Sequence, residues 1–300
     1  MSICIAAIAN DGSVFAVNDR MISTTDPTYT TYEPKVSKKV FQQTKFCIAM
    51  NAGHQGVQAE IMEAMQVKIQ AAKAAGKEGI DFAVKDIVDY YLECYNKIKS
   101  QRLNNEVFAP VGLTQQEFIA RQTELHDAFI NRMCDEVYRF QFPHVATIVA
   151  GIDKVAGHIE PHIFSIKAGV SECCDASGYA AIGVGEGQVD AFLMQSQFTR
   201  HYSNVKVAWL CYVAKRQSEV CLGVGKQTDI RVIGPAGGVF VVGDPHLGYG
   251  EWDSIYTRMA GQQGEARVKA EEAMREVLKG KLPLTTSLYD AAGDAQKSIG

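Results

Sequence analysis

The stretch that decides the fold is the first, residues 1–20, MSICIAAIANDGSVFAVNDR. Residues 3–9 form one apolar run and residues 13–17 a second, with Asn10-Asp11-Gly12 between them. Two such runs joined by a turn whose glycine supplies positive φ read as a β-hairpin. The hairpin begins almost at the first residue. Most domains leave their first residues loose, so a strand starting at position 3 implies that this end of the chain is held for a purpose.

Outward from the hairpin, the polar, Thr-rich residues 23–32 read as a loop, and residues 36–41 and 45–50 as a second pair of strands. After Asn51-Ala52-Gly53-His54-Gln55-Gly56, the apolar positions Ile61, Met65, Ile69 and Ala72 predict a helix ending at Gly76. A second helix is predicted over about 81–99. The capping box Thr114-Gln115-Gln116-Glu117 opens a long third helix, with Phe118, Leu125, Phe129, Met133 and Val137 on its buried face. Strands follow at 144–152, 158–166 and 179–182, then helices at about 189–197 and 205–216. Strand character returns at 220–222, 229–233 and 239–242, before a charged helix near 265–278 and a polar tail.

This order is not a strict βαβ alternation. It argues for an α+β protein with antiparallel sheets and helices segregated outside them. The expected organisation is one domain over residues 1–243, with a helical insertion at about 100–142 and a C-terminal extension over 244–300 containing one helix.

Of the 300 residues, 47% are hydrophobic and 21% charged, and the net charge is −4, so nothing points to nucleic acid or a membrane surface as partner. No run approaches the ~20 apolar residues of a membrane span. The expectation is a soluble, cytoplasmic protein. Its eight cysteines lie scattered through apolar runs of a long chain, and most read as reduced core thiols.

Three motifs tempt and fail. Gly183-Val184-Gly185-Glu186-Gly187 brings its third glycine one residue too early for a dinucleotide fingerprint and sets a Glu where a pyrophosphate would sit. Gly223-Val224-Gly225-Lys226 has Gln227 where a P-loop needs Ser or Thr for magnesium. His158 and His162 fall on one face of a strand without an evident third ligand, so they read as two solvated histidines. No metal or organic cofactor is expected.

Ser2 is different. Removal of Met1, which a small second residue permits, leaves Ser2 with a hydroxyl and a free α-amine. An α-amine has a reference pKa of about 7.7–8.0, so it can act as general base for its own hydroxyl. A nearby lysine lowers that pKa by like-charge repulsion.

With Ser2 in place at the head of the hairpin, the sequence resembles the proteasome β-subunit superfamily of N-terminal nucleophile hydrolases, including the bacterial HslV-type and Anbu-type ring proteases. Ser2 stands where that family has its terminal Thr or Ser, counted back from Asp11-Gly12. The family's Asp-x-Arg reads Asn18-Asp19-Arg20, and its Val-x-Lys-(Ile/Val)-Phe stretch reads Val36-Ser37-Lys38-Lys39-Val40-Phe41. Its Ile-Ala-(Met/Phe)-Ala-Gly reads Ile48-Ala49-Met50-Asn51-Ala52-Gly53, with one residue inserted. Thr147 to Asp153, Ala180 to Gly187 and Ser218-Glu219-Val220-Cys221-Leu222 are similar to three later segments.

The resemblance implies a four-layer αββα sandwich and peptide hydrolysis of the threonine/serine type. Ser2 would be the nucleophile, Lys39 the site lysine (Lys38 the alternate) and Gly53 the oxyanion donor. Asn18 and Glu219 would stand behind them, with Asp19 able to replace Asn18 if the strand bulges, and Arg20 as a structural ion-pair partner. It also implies copies of the chain in a ring, an unfolded protein or peptide as substrate, and an ATPase unfoldase as a possible partner. The alternatives are a catalytically inactive ring or scaffold subunit, for which Asn18, Val184 and Leu222 are the evidence, and a hydrolase of small amides.

Overall fold

The computed structural model describes residues 2–24, 30–34, 39–77, 82–155, 158–242 and 250–278. The chain divides into two compact units, Met1–Gly248 and Tyr249–Gly300. The first is α+β, built on two five-stranded sheets antiparallel throughout.

The predicted hairpin is β1 (Ile3–Ile8) and β2 (Val14–Asp19), and Gly12 closes its turn at φ +83°. The turn is tied by Asp11, whose carboxylate accepts from the Ser13 N–H at 2.9 Å and the Ser13 hydroxyl at 3.0 Å. A short β3 (Ile22–Thr24) pairs with β4 (Thr30–Tyr32), where a loop was expected. Next come β5 (Val40–Gln42) and β6 (Cys47–Gly53), then the helices α1 (Gln55–Ala74) and α2 (Val84–Leu103). The predicted start of β5 at 36–38 lies outside the described residues.

The insertion follows as a widened turn at Asn104–Phe108, a tight turn at Ala109–Val111, then α3 (Gln115–Ala120) and α4 (Asp127–Arg139). The single long helix expected here is two, because His126 breaks the run and caps α4, its Nδ1 accepting from the Ala128 N–H at 3.2 Å. The periodicity survived the break because both helices pack around Phe108: Phe118 of α3 and Met133 of α4 close a small core with it.

The long strands β7 (Val145–Val155) and β8 (His158–Lys167) lead into β9 (Val170–Cys173), which was not predicted. Its turn, Ala168-Gly169, has both residues at positive φ, the geometry of a two-residue hairpin loop, but with alanine in a place where glycine or asparagine would signal it. Then come β10 (Tyr179–Gly183), α5 (Glu186–Gln195), α6 (Asn204–Ser218), β11 (Thr228–Ile233) and β12 (Val239–Val242). Residues 220–222, expected as strand, form a turn that leaves Val220 78% and Leu222 77% exposed.

One sheet runs β10-β1-β2-β11-β12, the other β5-β6-β7-β8-β9. Alternation along the strands explains how they meet. On β1, Cys4, Ala6 and Ile8 pack with Ile48, Met50 and Ala52 of β6 and with Ala146, Ile148 and Ala150 of β7, in a core between the sheets. Cys47 and Ala49 point the other way, into a second core with Ile61 and Met65 of α1 and Ile87, Val88 and Tyr91 of α2. The outward face of β1 and β2 packs against α6, and α5 lies on β10. Each fully buried isoleucine contributes on the order of 2 kcal/mol, so a slip by one residue on β1 or β6 would undo both cores.

The second unit is described through α7 (Gly250–Leu278), which begins earlier than predicted and has Glu251 and Asp253 at its positive N-terminal end. Among the described residues no helix is long and apolar enough to cross a membrane.

Candidate active site

Ser2 stands at the head of β1 and is 2% exposed. The register sets its surroundings: Ile3 pairs with Gly183 of β10, and Cys4 with Asn18 of β2. Gly183 has φ +110°, and a Cβ there would stand 2.1 Å from the Ser2 carbonyl oxygen. Only glycine fits, so the glycine-rich stretch that failed as a nucleotide motif serves instead to let β10 approach Ser2.

The centre of the site is Asp19, the last residue of β2, whose side chain is fully buried. Its Oδ1 accepts from Ser2 Oγ at 3.0 Å, the Ile3 N–H at 2.9 Å and Lys39 Nζ at 2.7 Å. Its Oδ2 accepts from the N–H groups of Met21 and Gly225, both at 3.0 Å. The carboxylate thus fixes the hydroxyl, the ammonium and the first peptide of β1 relative to one another.

Lys39, just before β5, is 8% exposed and is brought to Ser2 through Asp19. Lys38 lies outside the described residues. The lysine is ion-paired with Asp19, and the Asn18 side-chain amide donates to the Asp19 carbonyl oxygen at 2.8 Å. The acidic role sits one position along, on Asp19. The adjacent Asn-Asp pair was the signal for it, but strand alternation alone did not choose between the two. Arg20 is buried in an ion pair with Asp229, Nη2 to Oδ1 at 2.5 Å.

Gly53 ends β6 at φ +113°, where a Cβ would come within 2.3 Å of the His144 carbonyl oxygen. It shares with Ser2 a pocket of about 370 Å³, lined also by Ala52, His144, Ala146, Lys167, Gly183, Val184 and Glu186. Glu219 does not line this pocket. It lies one residue past α6, paired with Lys215 Nζ at 2.7 Å and Arg216 Nη1 at 3.5 Å.

Lys215 was missed by the sequence reading, since a lysine on a helix reads as solvated. It is fully buried, and burial pulls its pKa below the usual 10.5 against the opposing pull of Glu219 and Asp19. Its Nζ also donates to the Lys226 carbonyl at 2.8 Å, next to the Gly225 N–H that reaches Asp19. Among the described residues Glu219 reaches the site through Lys215 and the segment 223–227, the segment that failed as a P-loop.

Cys4 lies beside the same groups, and burial pushes its thiol up to about 12, so it stays protonated at neutral pH. Of the two strand histidines, His158 is exposed, whereas His162 is anchored, with Nδ1 2.7 Å from Asp175 Oδ2 and Nε2 3.6 Å from Asp153 Oδ2. Among the described residues no group of three or more His, Cys, Asp or Glu side chains is placed to hold a metal ion.

Chemically, Asp19 orients the Ser2 hydroxyl by accepting its hydrogen bond and leaves a hydroxyl lone pair for an electrophile in the pocket, with Lys39 offsetting the carboxylate charge. No family model and no curated protein sequence matches this chain.

Proposed function

We propose that the first unit is a four-layer αββα sandwich of the N-terminal nucleophile type and that it hydrolyses peptide bonds with Ser2. The layering is supported by the core between the two sheets and by helices packed on both outer faces. The observation that carries the activity is the convergence of Ser2 Oγ and Lys39 Nζ on one oxygen of buried Asp19, beside a pocket that also contains Gly53.

In this reading whatever precedes Ser2 is removed. The freed α-amine then takes the hydroxyl proton, and Ser2 Oγ attacks the scissile carbonyl. The Gly53 N–H holds the oxyanion, the protonated α-amine returns its proton to the departing amine, and water, giving a proton to the same α-amine, hydrolyses the acyl ester and restores the Ser2 hydroxyl. Lys39 and Asp19 stabilise the charges that develop. Copies of the chain assemble in a ring around the sites and admit unfolded chains, with or without an ATPase partner.

Intact mass and N-terminal sequencing of the native protein test it, together with labelling by a β-lactone probe. A chain that begins at Ser2 and takes one probe there supports hydrolysis. A chain retaining Met1 with an unreactive Ser2 leaves the second reading, a ring subunit without catalysis. That reading draws on Val184 and Leu222, exposed and apolar at positions where the resemblance has hydroxyls.

A further inference from the structure

The Ser2 pocket has a charged wall that the mechanism leaves unused. Its floor is short and apolar, with Ala52 and Ala146 buried beside Gly53 and Gly183. One wall is an ion pair between Lys167 Nζ and Glu186 Oε1. The partners come from different elements: Lys167 ends β8 opposite Ala146 of β7, and Glu186 opens α5 directly after the Gly183–Gly185 bend. Their side chains are 47% and 32% exposed, so a third group can reach either one. Asp190, one turn along α5, feels both, since burial and Glu186 push its carboxyl up and Lys167 pulls it down.

We propose that this pocket is a subsite that reads the charge of a substrate residue flanking the scissile bond, and that the Lys167–Glu186 pair sets it for an uncharged side chain. The inference rests on the peptidase reading of Ser2. Because Ser2 and Gly53 line the same pocket, a carbonyl held between them places one of its neighbouring residues there. An acidic side chain must compete with Glu186 for Lys167, and a basic one with Lys167 for Glu186, while an uncharged one leaves the pair intact. The pair is solvated enough that removing either member leaves the fold standing.

The test compares the wild type with E186Q, K167M and the double variant on a mixture of short peptides randomised around their centre, with the new termini read by mass spectrometry. The wild type is expected to cut with uncharged residues on one flank. E186Q shifts that flank toward Asp and Glu, and K167M toward Lys and Arg, each by roughly tenfold. The double variant returns to the uncharged preference. Identical profiles in all four proteins overturn the proposal. If the wild type cuts nothing and Ser2 takes no probe, the peptidase reading has failed, and the subsite is judged by binding instead. Selective retention of acidic peptides by E186Q and of basic ones by K167M then upholds it, and equal retention overturns it.

Discussion

Lys39 Nζ lies 2.7 Å from Asp19 Oδ1, in a pair whose aspartate side chain is fully buried. Breaking such a pair by removing one partner strands a charge and costs about 3–5 kcal/mol, whereas removing both costs much less. K39M and D19N are therefore each expected to lower unfolding free energy in urea by that order. The double variant D19N/K39M recovers only the part due to the stranded charge, because the asparagine amide sets an NH2 group where the carboxylate accepted from the Met21 and Gly225 N–H groups or from those at Oδ1. Reactivity of Ser2 should fall in all three, by about 10²–10⁴-fold if these groups assist proton transfer. Single variants as stable as the wild type would show that the pair does not hold the site together.

Two glycines bound the site, and their substitution separates close approach from backbone strain. In G183A the new methyl meets the Ser2 carbonyl oxygen at 2.1 Å, and in G53A it meets the His144 carbonyl oxygen at 2.3 Å, both at positive φ. Gly76 has φ +92° but nothing within 4 Å of the added carbon. G76A is expected to cost about 1 kcal/mol from backbone strain alone, and the other two at least twice that. G183A should also lower β-lactone labelling of Ser2, because β10 must shift away from it. Equal urea midpoints for all three variants would contradict the crowding seen at Ser2.

Much of this fold was legible because its strands are short apolar runs bounded by turn residues and its helices keep their period. The β1–β2 hairpin, β6, α1 and α6 follow directly from apolar spacing. What was not legible had local causes. Ala168 hid the β8–β9 turn by taking a conformation that alanine rarely signals. Val220 and Leu222 looked like strand because their side chains are apolar, yet both face outward. In the site, Ser2 stood out by its place at the head of the hairpin, while Lys39 and Gly53 were named only through the resemblance, and the structure brings Ser2 and Gly53 to one pocket and Lys39 to the buried aspartate beside it. Asp19 and Lys215 were not chosen, because which of two adjacent side chains points inward, and which helix lysine is buried, depends on packing between distant segments.

His162 should make stability depend on pH in a defined direction. Its pKa is raised above 6.5, first by the hydrogen bond to Asp175, against burial, with Asp153 and Glu160 adding to the rise. Asp175 is half-buried, which works against ionisation, yet the bonds from His162 and the Ile163 N–H hold it below its ordinary 3.8. The histidine term is fully present below 6.5 and is lost as pH rises through the folded value. The aspartate term is present above 3.8 and is lost as pH falls through its folded value. The stability gap between wild type and H162Q in urea should thus be largest between about pH 4 and 6.5 and should shrink above neutrality. A gap that widens at pH 8 would mean that His162 is not paired as a cation.

Lys215 gives the opposite sign. Burial depresses its pKa below 10.5, so at neutral pH the folded chain bears the cost of an enclosed ammonium, eased by Glu219 at 2.7 Å and the Lys226 carbonyl at 2.8 Å. Between the folded pKa and 10.5 the unfolded chain binds more protons, so wild-type stability rises with pH across that interval. K215M lacks this term. The difference in unfolding free energy between wild type and K215M should therefore move in favour of the wild type from pH 7 to pH 10. At pH 7 K215M is expected to lose stability, since it takes the nearest partner from Glu219, whose side chain is 15% exposed, with Arg216 at 3.5 Å limiting the loss, and K215M/E219Q recovers part of it. The segment 223–227 also loses its anchor, so the Gly225 N–H should exchange with deuterium faster than in the wild type and Ser2 labelling should drop. A pH-independent difference, or unchanged Gly225 exchange, would place Lys215 outside the network that holds Asp19.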